Sequence, residues 1–139
     1  MSDDYYELLA KVPIFEGLDK DHLDRIGQMA TLLDLGAGQT LMAEGTVAHE
    51  MVIILEGTLE ITRDGVHIAD LGPGEFAGEM ALLNRTSRNS SVLTKTDVSV
   101  LHIDGRSFAA LLDDSPQIAV KMLPTVAARV TDNSISPAD

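Results

Sequence analysis

Apolar and polar residues change their spacing twice along this chain, and the two changes divide it into three parts. After Gly17, Leu23, Ile26 and Met29 recur at helical intervals. A shorter helical segment, Tyr5 to Lys11, precedes them. Pro13 closes that first segment, because proline disfavours helix in the residue before it. Asp19 stands where a helix N-cap is expected, and Ile14 and Phe15 are expected to bury between the two helices.

From Ala30 the pattern shortens, with glycines at positions 36, 38, 45, 57, 65, 72, 74 and 78 separating short apolar stretches. "MVIILEGTLEIT" predicts two strands meeting at Gly57, with Leu59 and Ile61 alternating against Glu60 and Thr62. The Asp64-Gly65 pair predicts a tight hairpin. "SVLTKTDVSVLHI" supplies two more strands around Thr96-Asp97. Short strands with glycine turns predict a mainly β domain with flanking helices, built as a small antiparallel β-barrel or jelly roll.

Helical spacing returns after Gly105. "RSFAALLDD" predicts one helix ending near Ser115-Pro116, and Ile118, Met122, Val126 and Val130 then form one apolar stripe. Pro124 lies inside that stretch and is expected to kink it. The reading is one domain over residues 1–131: a helical part 5–30, a β part 31–104 and closing helices 105–131. A flexible polar tail, 132–139, is expected after it.

Composition narrows the function classes. A chain of 139 residues fits one core. Ten Lys and Arg against 22 Asp and Glu give a net charge of -12. Binding to nucleic acid or an anionic membrane needs clustered cations, so neither partner is expected. The absence of cysteine excludes disulfides and thiolate metal sites. The acidic N-terminus lacks the pattern of a signal peptide, and apolar runs stop after about five residues, against the ~20 needed to span a bilayer. A cytoplasmic protein is expected. His22, His49, His67 and His102 are nowhere closer than 18 residues, which gives no metal-ligand signature. No nucleophile-elbow pattern is present, so the expectation is a binding protein and not an enzyme.

The segment that carries chemistry is "GEFAGEMALLNRTSRNSSV", residues 74–92. Gly78 lets the backbone turn, and Met80 to Leu83 have good helix propensity. A helix starting after Gly78 presents unpaired amides, a seat for phosphate. Arg88 offers a planar, two-pronged donor to phosphate oxygens. Glu79 can accept from a sugar hydroxyl, as acids do in dinucleotide sites. Arg85 has the chemistry of Arg88 but reads as exposed loop.

This order of residues resembles the phosphate-binding cassette of the cyclic nucleotide-binding domain family. The family pattern is a Gly-Glu-apolar-Ala-Leu run, a short loop, then Arg, small residues and Val. Here it reads Gly78-Glu79-Met80-Ala81-Leu82-Leu83, then "NRTS", then Arg88-Asn89-Ser90-Ser91-Val92. The flanks "VPIFEGLDKDHLDRI" and "SFAALLDDSPQIAVKMLPTVAARV" resemble the family's entry and closing helices, and Gly45 and Gly57 match its central glycines.

The resemblance implies cAMP or cGMP as ligand, cAMP favoured; with no histidine signature, no metal is expected. Glu79 would hold the ribose 2′-hydroxyl and Arg88 the cyclic phosphate. The amides of Met80, Ala81 and Asn89 would add donors, with Gly78 and Ser90 completing the cassette and Ile61 and Ile68 lining base and sugar. Asn89 stands where Ala, Ser or Thr is usual, and Ser87 where proline is common. The closing helices would move on binding and signal to a protein effector, with a homodimer seam along the last helix as one further reading. Nine residues after Val130 leave no room in this sequence for a DNA-reading, kinase or channel segment. The expectation is a sensor acting on a partner, and its alternative a domain of the same fold serving as a scaffold without nucleotide.

Overall fold

A computed structural model describes residues 3–134 of the chain. It opens with α1 (Asp3–Ala10), which stops short of Pro13 and is followed by a single 3-10 turn over Pro13–Phe15. That turn buries Ile14 and Phe15. Next comes α2 (Lys20–Met29), whose cap is Asp19: its side chain accepts from the His22 amide at 2.9 Å. Leu23 and Ile26 form the buried face of this helix.

Eight strands follow: β1 (Thr31–Leu35), β2 (Thr40–Met42), β3 (Glu50–Glu56), β4 (Leu59–Arg63), β5 (Val66–Leu71), β6 (Phe76–Ala77), β7 (Ser91–Thr94) and β8 (Val98–Asp104). They form two four-stranded antiparallel sheets, ordered β1-β8-β3-β6 and β2-β7-β4-β5. Among the described residues the architecture is a jelly roll of two facing sheets, and the strands do not close into one barrel. The strands meeting at Gly57 are separated by a change of sheet, as are β7 and β8. Gly57 makes its crossing with φ +88°, and a Cβ there would overlap the Asp97 carbonyl oxygen. At the tip of β4–β5, by contrast, Asp64 and Gly65 both take positive φ (53° and 77°) and close a true hairpin.

Why β3 reads as a continuous apolar run is explained by its place between two cores. Met51 and Ile53 belong to a cluster with Phe15, Ile26, Phe108 and Ile118 from the helices. Val52 and Ile54 point the other way, into a cluster with Met42, Leu59, Val92 and Val100 between the sheets. Alternation is present, but both faces are buried.

Between β6 and β7 lies α3 (Glu79–Asn84); after β8 come α4 (Gly105–Asp114) and α5 (Pro116–Ser134). Ser115 separates the last two in a non-helical conformation (φ -135°, ψ 73°), and α5 remains helical on both sides of Pro124. Residues 132–134, expected in the tail, continue α5; residues 135–139 lie outside the described residues. The apolar stripe on α5 needs a correction. Ile118 and Met122 are buried in the chain's own core and Val126 is half-buried, whereas Val130 is 46% exposed. Over three turns the 3.6-residue period drifts away from a four-residue spacing, and Arg129 takes the inward position instead.

Candidate functional site

Gly78 takes a left-handed conformation (φ 92°, ψ -2°) at the junction of β6 and α3. A Cβ there would lie 2.8 Å from Arg88 Nη1 and 2.7 Å from the end of Met42. The turn and the close approach both require glycine. Gly78 itself offers no side chain to cap the amides that open α3.

Arg88 is gripped through its backbone by the loop after β2. Its amide donates to Thr46 O and its carbonyl accepts from Gly45 N, both at 2.8 Å. The side chain is 5% exposed. Nη1 donates to Gly78 O at 2.7 Å, and Nη2 donates to Glu50 O, with Glu50 Oε1 at 3.5 Å. Burial is the main influence on this guanidinium and lowers its pKa from the ordinary arginine value, against the opposing charges of Glu50 and Glu79.

Glu79 opens α3 and is fully buried. Its Oε1 accepts from Arg129 Nη1 on α5, while Arg129 Nη2 donates to Phe76 O at 2.7 Å. The Arg129 guanidinium also stacks 5.0 Å from the Phe76 ring centroid. The second carboxylate oxygen, Oε2, is buried with no hydrogen-bond partner. Burial raises the Glu79 carboxyl above its ordinary 4.5, with Arg129 the strongest opposing influence.

These groups surround a cavity of about 190 Å³. All nine residues expected from the sequence line it: Gly78, Glu79, Met80, Ala81, Arg88, Asn89, Ser90, Ile61 and Ile68. Asn89 is exposed, its Oδ1 accepting from Ser90 Oγ at 3.2 Å. Arg85 is exposed at the end of α3, as expected.

Sequence reasoning missed Arg129 and Arg63, which also line the cavity, and Glu50 behind Arg88. The signal for Arg129 was its place seven residues after Met122 and three after Val126, a charge on a buried face. Arg63 gave none, since nothing local says that β4 ends beside the cassette. The four histidines do not converge. His67 instead hydrogen-bonds Glu60 at 2.7 Å and lies near Asp70, which pairs with Lys95 at 2.8 Å, in a partly exposed surface group. No helix among the described residues is long and apolar enough to cross a membrane.

The chain is similar to known proteins over most of its length. The family model for the cyclic nucleotide-binding domain matches residues 32–115. A cyclic nucleotide-gated potassium channel of Rhizobium etli is 32% identical over 124 residues, 89% of this chain and 35% of that protein. A CRP-like cAMP-activated global transcriptional regulator of Mycobacterium tuberculosis is 28% identical over 137 residues, 94% of this chain and 61% of that one. The chain thus spans less than two thirds of either relative. The regulatory domain of Toxoplasma gondii PKA, solved with cAMP, superposes with a TM-score of 0.77 at 20% identity, covering 91% of this chain and 49% of that one. Because the family model matches residues 32–115, more than half of the sequence, the chain belongs to the cyclic nucleotide-binding domain family.

Proposed function

We propose that this chain is a regulatory module that binds a cyclic nucleotide, cAMP in preference to cGMP, and acts by binding and not by catalysis. The observation that carries this reading is Glu79 Oε2, a buried acceptor without a donor on a residue that lines the cavity. A buried carboxylate oxygen left bare costs about 1–3 kcal/mol or more, and a ribose hydroxyl supplies the missing donor. Arg88 and the amides of Met80, Ala81 and Asn89 take the phosphate, and Ile61 and Ile68 receive the apolar face of sugar and base.

Signalling follows from Arg129. It ties α5 to the carboxylate that the sugar would engage, so ligand and helix compete for, or share, one group. A ligand that interacts differently with the two arrangements shifts their populations. The Ser115 joint, buried and with its hydroxyl unpartnered, is where α5 would pivot. The moved helix would present a new face to a protein effector in the same compartment, the cytoplasm. A second copy is a further partner, through Val120, Leu123 and Val130, which are 64%, 58% and 46% exposed on α5.

One observation favours the scaffold reading: Arg88 already spends two of its donors on Gly78 O and Glu50 O. Thermal unfolding with cAMP, cGMP and 5′-AMP separates the two. A ligand that binds only the folded state raises the midpoint. The module reading expects a saturable rise with cAMP, a smaller one with cGMP and little with 5′-AMP. Three flat curves at millimolar ligand would leave the scaffold.

A further inference from the structure

Resting on the nucleotide reading, we infer that Arg63 is a positioning residue of the same site, clamping the two residues after Arg88 from the neighbouring hairpin. It closes β4, one residue before the Asp64-Gly65 turn. Its side chain leaves the hairpin and reaches the exit of the cassette. Nε donates to Asn89 O at 3.1 Å and Nη2 donates to Ser90 Oγ at 3.3 Å. Ser90 passes the contact on, since its hydroxyl donates to Asn89 Oδ1.

A loop tie and a side-chain tie therefore hold this exit beyond the end of the β4–β7 ladder. The loop after β2 holds the Arg88 peptide through Gly45 and Thr46, and Arg63 holds the Asn89–Ser90 peptide that follows. The same loop joins the hairpin tip, where the Asp64 amide donates to Glu44 Oε1 at 3.0 Å, and β7, where Ser91 Oγ accepts from the Glu44 amide at 2.9 Å.

Arginine matters here for its shape. A guanidinium is a rigid fork that donates along two directions at once, while an ammonium is a single point on a flexible stem. Donation into Asn89 O also polarises the peptide it belongs to, which strengthens the Ser90 amide as a donor. Arg63 thereby couples the apolar wall built by Ile61 on the same strand to the phosphate seat at Arg88. A ligand that meets both walls meets them at a separation set by the β4–β7 ladder, which ends at Thr62–Ser91, and carried on to Asn89 and Ser90 by Arg63.

The test compares wild type, Arg63→Ala and Arg63→Lys by calorimetric titration with cAMP, together with amide exchange of residues 89–91 without nucleotide. Arg63→Ala is expected to weaken cAMP about tenfold, one charge-assisted hydrogen bond's worth, and to speed exchange at 89–91 without moving the unfolding midpoint by more than a few degrees. Arg63→Lys keeps the charge and is expected to recover only part of the affinity. Full recovery by lysine, or unchanged exchange in Arg63→Ala, overturns the clamp while leaving the nucleotide reading intact. Absence of cAMP binding by wild type overturns the nucleotide reading and this role with it.

Discussion

Arg129 and Glu79 form an ion pair between α5 and the first residue of α3, fifty positions apart, with the carboxylate fully buried and its second oxygen bare. The pair joins the element expected to move to the element expected to hold the sugar. Removing Arg129 leaves a buried carboxylate without its main counter-charge. Arg129→Ala is expected to lower unfolding free energy by about 1–3 kcal/mol, as read by urea denaturation, and to speed amide exchange along residues 116–131. Unchanged exchange in α5 would show that the pair does not hold the helix.

Glu79 also gives the fold a pH dependence with a definite sign. Burial raises its carboxyl in the folded state above the ordinary 4.5. A group so raised contributes stability that is fully present below its unfolded pKa and lost as pH rises through its folded pKa. Wild type should therefore lose stability relative to Glu79→Gln as pH climbs from below 4.5 toward neutrality. Paired urea melts at about pH 4 and pH 7 check the direction. Ligand affinity should move the other way, because Glu79→Gln removes the ionised acceptor that the sugar hydroxyl needs.

Gly78→Ala tests the turn. Its φ of 92° strains any side chain, and the added methyl meets Arg88 Nη1 and Met42 at under 3 Å. A cost of about 1–3 kcal/mol is expected for the backbone alone. Nucleotide affinity should fall as well, since Arg88 must shift. A stable variant with normal affinity would mean that the junction has more room than its geometry shows.

The α5 surface predicts self-association. Leu123→Lys places a charge on the exposed stripe and leaves the buried Ile118 and Met122 untouched. Sedimentation of wild type at rising concentration should show dimer, and the variant should stay monomeric with an unchanged unfolding midpoint. Monomeric wild type at high concentration would remove the second copy as a partner.

The local features of this fold were readable because short-range chemistry decides them: the Asp19 cap, the Asp64-Gly65 hairpin, the turn at Gly78. Partners brought together by topology were not. Arg88 was legible, yet the Glu50 carbonyl that receives its Nη2 lies on β3, and no spacing rule links the two. Strand pairs that look like hairpins in sequence, β3 with β4 and β7 with β8, divide between sheets because a jelly roll folds its ribbon over. The α5 stripe failed at Val130 through the small mismatch between a spacing of four and a period of 3.6, which turned Arg129 inward.

The central claim is that the cassette around Arg88 holds a cyclic phosphate, and calorimetric titration of cAMP into wild type and Arg88→Ala tests it most directly. The account predicts saturable one-to-one binding by wild type, weakened in the variant by ~2–5 kcal/mol, roughly thirty-fold to several thousand-fold. Equal affinity in the two proteins, or no heat of binding in wild type at millimolar cAMP, would contradict it.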